Sequence, residues 1–402
     1  MEELVIGSRA KPLCLALSVL AGAIVLAAAI GTLLPDLPLI GLTASVVTGF
    51  FALHVVLIAV LGGLLALLAR HLGAGTTAIV MMVLNAIAAI VLLVPLTSQV
   101  SAAHRAGATI SWTGHLRMVA AGPRPVAART AQYAVVDGKT LALDIYEPTR
   151  RSTDSPSTPV VMIHGGGFLY GHRSDGRDWD HWFAERGYTV FDVDYRLSPP
   201  VTWNLAAEDV ACALSWIRQH QQELHVASTH TLIVGQSAGA SLALQVAYGI
   251  GDSSIKSSCE GGQDTPVAVF ALYPAEDFAL AWKANLKLGP VHARSINSEY
   301  IGGSPEQFPD RYRVVSAIEH VRPGLPATMI AYGARDHLVP VAGHVELYSR
   351  LMKLGIPSVL LEIPYSDHGY DLVWGSLGAQ ITRHDLTRFL SAYCPSTPAH
   401  AR

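Results

Sequence analysis

Hydrophobic and polar positions fall into two regimes along this chain. Residues 13–34, 44–68 and 77–97 form three apolar runs, and between Pro12 and Ser98 the only Asp, Glu, Lys or Arg residues are Asp36 and Arg70. Each run meets the roughly 20 residues that an α-helix needs to cross a bilayer core, so three transmembrane helices are predicted. Turn residues separate them, at 35–38 and 70–75. From residue 131 the pattern changes to short strand-like runs alternating with helical periodicity. Residues 133–136 and 141–146 flank Asp137-Gly138 and read as a β-hairpin. Further strands are predicted at 159–163, 189–193, 231–234, 267–272, 327–332 and 358–363. Helices are predicted at 180–186, 205–220, 238–248 and 341–354, with a last one ending near Tyr393. This alternation predicts an α/β fold with a doubly wound, mainly parallel sheet, whose sites form at the carboxyl ends of the strands. The organisation expected is a membrane region at 1–98, a linker at 99–130 and one large domain at 131–402.

Composition sharpens the membrane part. Half of the 402 residues are hydrophobic, and the excess sits in the three runs. A cleaved signal peptide is the competing reading of the first run, because Arg9 and Lys11 precede it. The run is longer than the usual signal core of about 7–15 residues and two more follow, so an uncleaved span is expected. Arg9, Lys11 and Arg70 fall on one side of the spans, Arg105 and Arg117 on the other. That bias puts the N-terminus inside and the large domain on the extracytoplasmic side of a multi-pass integral membrane protein. His54 and Asn85 are the notable polar groups within the runs and read as helix–helix hydrogen-bonding residues rather than an ion path. The spans therefore read as an anchor in the lipid bilayer. The linker holds Trp112, Leu116, Met118 and Val119 with Arg105, His115 and Arg117. It fits either an amphipathic interfacial helix or a segment packed on the large domain. A net charge of -3 argues against nucleic acid as a partner. The four cysteines lack metal-ligand spacing, and Cys259 and Cys394 are a candidate disulfide if the domain lies outside the cytoplasm.

The candidate chemistry lies after the strands. Residues 231–244 run from a strand through Gly235-Gln236-Ser237-Ala238-Gly239 into an Ala-rich helix, the context of a nucleophile elbow. The glycines relieve the clash where strand and helix close on each other, and Ser237 stands at the tip of the turn. After the strand at 159–163 comes His164-Gly165-Gly166-Gly167-Phe168, a loop whose backbone N–H groups can turn toward a bound oxygen. Asp336 and His368 each follow a later strand. The order Ser, acid, His supplies a nucleophile, a base and the carboxylate that orients the base. His337 and Asp367 adjoin Asp336 and His368 in sequence and point away from them, so neither completes the set. Asp371 reads as a cap of the following helix. The segment 274–321 is long for a connection between strands and carries Phe278, Trp282, Leu286, Leu288, Tyr300 and Phe308, so it reads as a lid or a wall of the acyl pocket.

With these motifs, residues 133–393 resemble the α/β-hydrolase superfamily, and within it the hormone-sensitive-lipase-like esterases and acetylesterases. Asp194-Tyr195-Arg196-Leu197-Ser198-Pro199 adds to the match. The resemblance implies Ser237, Asp336 and His368 as catalytic residues and the N–H groups of Gly166, Gly167 and Ala238 as the oxyanion hole. It implies that Asp194 and Arg196 brace the segment after the fourth strand. Gln236 and Ala240 depart from the Asp and Gly common at those positions, without removing a reacting atom. The activity expected is that of a membrane-anchored serine carboxylic-ester hydrolase acting on short- to medium-chain acyl, acetyl or lipid esters, with no metal or organic cofactor. An acyltransferase with the same triad, and a catalytically silent hydrolase fold serving as a membrane receptor, are the alternatives.

Overall fold

A computed structural model describes residues 2–118, 129–149 and 155–396. The chain forms two compact units. One comprises Met1–Val119 with the short segments Gly333–Arg335 and Ile363–Ile381; the other comprises Ala120–Tyr332, Asp336–Glu362 and Thr382–Arg402.

The first unit is built on three long helices, α1 (Glu2–Leu33), α2 (Ile40–His71) and α3 (Thr76–Ala106), followed by the short α4 (Trp112–Arg117). All three long helices are apolar enough to cross a membrane. They outrun the expected spans: α2 begins at Ile40, and α3 continues through Pro95 to Ala106, ending on Gly107 in the left-handed conformation. The linker therefore starts as helix, and its residues 119–128 lie outside the described residues. Small residues let the helices approach closely. A Cβ on Gly31 would lie 2.3 Å from Ile40 O, and one on Gly62 the same distance from Asn85 Oδ1. Asn85 donates to Met81 O (2.8 Å) within α3 and reaches Ser18 O of α1 (3.5 Å). His54 Nε2 lies 3.2 Å from Leu116 O of α4. Both residues thus take the helix–helix role expected of them. Val25, Ala52, Ala59, Ala88 and Leu92 form the core between the helices, and Leu377 joins it. Leu20, Leu61, Leu64 and Ile90 are exposed on the outer faces.

The second unit carries the sheet. Strands β1 (Arg129–Val136) and β2 (Lys139–Tyr146) pair antiparallel across Asp137 and Gly138, both at positive φ, as the Asp-Gly turn predicts. Then follow β3 (Pro159–Ile163), α5 (Arg177–Ala184), β4 (Thr189–Val193), α6 (Leu205–Gln219), α7 (Gln221–Leu224), β5 (Leu232–Gln236) and α8 (Ala238–Gly249). After them come β6 (Ala268–Leu272), α9 (Phe278–Ala284), a small hairpin of β7 (Lys287–Leu288) and β8 (Val291–His292), α10 (Ala293–Ile301) and α11 (Pro309–Val315). The chain closes with β9 (Ala327–Gly333), α12 (Val341–Lys353), β10 (Ser358–Ile363) and α13 (Leu377–Tyr393). The main sheet has the order β1-β2-β4-β3-β5-β6-β9-β10. Pairing is parallel from β4 through β9 and antiparallel at β1/β2 and β2/β4. Buried on both faces, β3 and β6 read as continuous apolar runs, while β4 carries Asp192 among its apolar residues. β3 has β4 on one side and β5 on the other, so the chain reverses its winding there. The carboxyl ends of β3 and β5 flank this switch point, where open α/β sheets bind ligands.

Two expectations are corrected. Cys259 is bonded to Cys212 of α6, while Cys394 is a buried free thiol. Sequence spacing could not reveal this, because the two sulfurs meet only after α6 packs beside the loop before β6. Asp371 is no helix cap: α13 starts later, at Leu377, and Ser376 Oγ accepts from Ala379 N (3.1 Å). The segment 274–321 folds as α9, the β7–β8 hairpin, α10 and α11, with a short 3-10 turn at Ala317–His320.

Candidate active site

The geometry begins with Ser237. It ends β5 and starts α8 at φ 53° and ψ -118°, a strained left-handed turn for a residue with a side chain. Two glycines make the turn possible. A Cβ on Gly235 would lie 2.2 Å from Gly239 C, and one on Gly239 would lie 2.1 Å from Ile163 O. The turn is anchored by Ser237 N donating to Leu272 O (2.9 Å) and by Ser241 N donating to Ser237 O (3.0 Å). All residues of α8 are buried. The hydrophobic effect of burying Leu242, Leu244 and Val246 alone, about 1.5–3 kcal/mol each, offsets strain of the order of 1–3 kcal/mol at the turn.

The glycine loop after β3 runs beside the elbow: a Cβ on Gly165 would lie 3.4 Å from Ser237 Cβ. Gly166 and Gly167 both have positive φ, 109° and 63°. Gly166 O accepts from Leu169 N and Tyr170 N, each at 3.1 Å, which folds the loop back on itself. His164 is a brace. Its ring stacks on Tyr195 at 4.3 Å, and Tyr195 Oη donates to His164 O (3.0 Å). Burial pushes the His164 imidazole down from its usual value. Phe168 stacks on Tyr300 at 3.7 Å, tying the loop to α10.

A narrow cleft opens on Ser237. Gly167, Phe168, Ala238 and Ser241 line it on one side. Ala275, Phe278, Ala281, Ala293, Ile296 and Asn297 come from the 274–321 segment, so that segment forms a wall as expected. Leu338 and Val339, which complete the lining, carry no motif in the sequence, although they lie two and three residues after Asp336. Asp336 itself is buried, and its Oδ1 accepts from the N–H groups of Leu338 (2.8 Å) and Val339 (2.7 Å). The carboxylate thus sets the turn that aims those two side chains into the cleft.

Other sequence-predicted residues take structural roles. Arg196 is buried and donates through Nε and Nη2 to both oxygens of buried Asp209, at 2.8 and 2.7 Å, and through Nη1 to Asp137 Oδ2 (2.8 Å). Asp194 accepts from Arg173 N at 2.8 Å. The two residues brace the segment after β4. Gln236 Nε2 donates to Tyr273 Oη (3.3 Å), linking the elbow to the end of β6.

His368 belongs to the first unit. It lies on the segment after β10, and its backbone N–H donates to Asp367 Oδ1 (2.7 Å).

A parallel sheet with a serine elbow at its switch point and a glycine loop beside it is the α/β-hydrolase fold. Comparison with known proteins agrees. Residues 143–351, just over half of the chain, match the BD-FAE family, and the chain belongs to that family. Esterase LipC of Mycobacterium tuberculosis is 26% identical over 250 residues, covering 60% of this chain and 60% of LipC. The probable carboxylic ester hydrolase LipM of the same organism is 26% identical over 259 residues, covering 63% of this chain and 58% of LipM. The chain thus spans about three fifths of the length of these relatives. Among solved structures, Thermogutta terrifontis esterase 2 phosphonylated by sarin aligns with a TM-score of 0.54 at 23% identity, covering 67% of this chain and 96% of that one.

Proposed function

We propose that this protein is a serine carboxylic-ester hydrolase anchored in a membrane by α1–α3. The observation that carries the reading is Ser237, held left-handed at the tip of the β5–α8 turn and open to an apolar cleft shared with Gly167 and Ala238. In this reading His368 takes the proton of Ser237 Oγ as the oxygen bonds to the ester carbonyl carbon. Asp336 fixes the tautomer of His368 and stabilises its charged form. The N–H groups of Gly166, Gly167 and Ala238 receive the negative charge that develops on the carbonyl oxygen; removal of one such donor costs about 3–4 kcal/mol in well-studied cases. The tetrahedral intermediate collapses, the C–O bond to the alcohol breaks, and His368 hands its proton to the leaving oxygen. Water, deprotonated by His368, then attacks the acyl carbon, and the acid leaves as Ser237 regains its proton.

The cleft sets the substrate class. It is small and lined mainly by Phe168, Phe278, Ile296, Leu338 and Val339, which suits acetyl to butyryl groups better than long chains. Residues 131–402 are the catalytic region and 1–98 the membrane region. The positive-charge bias places the catalytic region on the extracytoplasmic side, and the Cys212–Cys259 disulfide fits an oxidising compartment. The test is turnover of p-nitrophenyl acetate, butyrate and decanoate by the purified full-length chain and its Ser237→Ala variant. Turnover should fall at least about 10³-fold in the variant, and decanoate should be the poorest of the three substrates. Undiminished turnover in Ser237→Ala overturns the mechanism.

A further inference from the structure

The segment that carries His368 is held by the apolar helices. Asp367, the residue before it, is buried; its Oδ1 accepts from the His368 backbone N–H (2.7 Å) and its Oδ2 accepts from the Ser45 hydroxyl of α2. Ser45 Oγ also lies 2.9 Å from Leu42 O, and its single proton goes to the stronger acceptor, the carboxylate. Gln99 of α3, fully buried, donates from Nε2 to Pro364 O (3.1 Å) and lies 3.3 Å from Thr48 O. One amide thereby joins α3, α2 and the segment. At Gly49 the backbones come so close that a Cβ would sit 3.2 Å from Ser366 Cα. The residue before Asp336 is tied in as well. Arg335 donates from Nη2 to Thr32 O in the last turn of α1 (2.9 Å), its guanidinium lies over the Tyr365 ring at 4.2 Å, and its N–H donates to Ser366 O (2.9 Å).

We propose that Ser45 and Gln99 are positioning residues for the hydrolysis, holding through Asp367 and Pro364 the segment that presents His368, so that the membrane helices are part of the catalytic apparatus and not only its anchor. The proposal rests on the reading of His368 as the general base. A chain of buried hydrogen bonds fixes the His368 backbone on elements stiffer than a surface loop. A displacement of about 1 Å at a catalytic group can cost on the order of 100-fold in rate while leaving substrate binding almost untouched. Asn85 offers an internal comparison. It is a buried polar residue of α3 whose hydrogen bonds go to α1 and to its own helix, away from the His368 segment.

The experiment measures kcat and KM for p-nitrophenyl acetate across pH 5–9 in full-length protein in detergent, with melting temperature as the folding readout. Ser45→Ala and Gln99→Leu should each lower kcat about tenfold or more with KM within twofold of the unchanged chain. The split between kcat and KM is the signature of a positioning role, which a loss of fold alone would not produce. Ser45→Thr, which keeps the hydroxyl, should restore kcat, and Asn85→Ala should retain it. If Ser45→Ala yields no folded protein, Gln99→Met removes the donor with little change of shape and is read in the same way. Wild-type kcat in folded Ser45→Ala and Gln99→Leu would overturn the proposal. Unchanged turnover in Ser237→Ala would instead overturn the underlying mechanism, so the two failures are distinguishable.

Discussion

The most unusual titrating residues outside the cleft are Asp180 of α5 and Asp192 of β4. Both are buried, and their carboxyl groups interact electrostatically. Burial is the main cause that raises both, Asp192 to about 8, while the Ser174 N–H on its Oδ2 pulls it the other way. The unfolded chain releases these protons near pH 4, and the folded chain retains them to higher pH. Stability from the pair is therefore complete below about pH 4 and is lost as pH rises toward 8. Asp192→Asn keeps the acceptor for Ser174 and removes one titrating group. Its unfolding free energy should fall less steeply between pH 5 and 8, by up to about 1.4 kcal/mol per pH unit, as read from urea titrations at several pH values. An unchanged slope would contradict the raised titration of Asp192. Nothing in the sequence flags this pair. Asp192 lies inside an apolar strand and Asp180 begins a helix, and only the packing of α5 on the sheet makes them neighbours. Ser237 is the opposite case, because Gly235 and Gly239 are demanded by local sterics and so are visible as a motif.

At the level of elements, the strands were the most legible feature. Largely apolar runs mark β3, β4, β6 and β10 within a residue or so, even with Asp192 inside β4 and Glu362 inside β10. The three apolar helices were equally plain, but their ends were not. Helix geometry continues past the apolar stretch in α3, through residues 98–106, as long as nothing breaks it before Gly107. Pairings between elements left no trace. The hydrogen bonds of Ser45 and Gln99 reach partners 322 and 265 residues away; in the sequence Ser45 looks like an ordinary small interruption of a span, and Gln99 falls at the start of the linker. The Cys212–Cys259 bond, which ties α6 to the loop before β6, is of the same kind. Its ends are 47 residues apart, and closing a loop of that size stabilises a fold by about 2–4 kcal/mol. Unfolded under non-reducing conditions, the protein should show two titratable thiols, from Cys14 and Cys394, and four after reduction. A Cys212→Ser/Cys259→Ser double variant should melt at lower temperature. Four free thiols without reductant would contradict the bond.

At the scale of the whole molecule, the division into units does not follow the order of the chain. Ser237, Asp336 and the cleft belong to the sheet-bearing unit, whereas His368 travels with the helices through the segment Ile363–Ile381. The sequence reading treated the helices as an anchor and the remainder as the enzyme. The hydrogen bonds of Ser45, Gln99 and Arg335 give the helices a second task. All of this depends on one claim, that Ser237 is an activated nucleophile. The most direct measurement is labelling of the full-length protein in membranes by a fluorophosphonate, followed by peptide mass analysis. The account predicts one adduct on the peptide containing Ser237, absent from Ser237→Ala and strongly slowed in His368→Ala. An unlabelled wild-type protein, or an adduct on another residue that persists in Ser237→Ala, would contradict it.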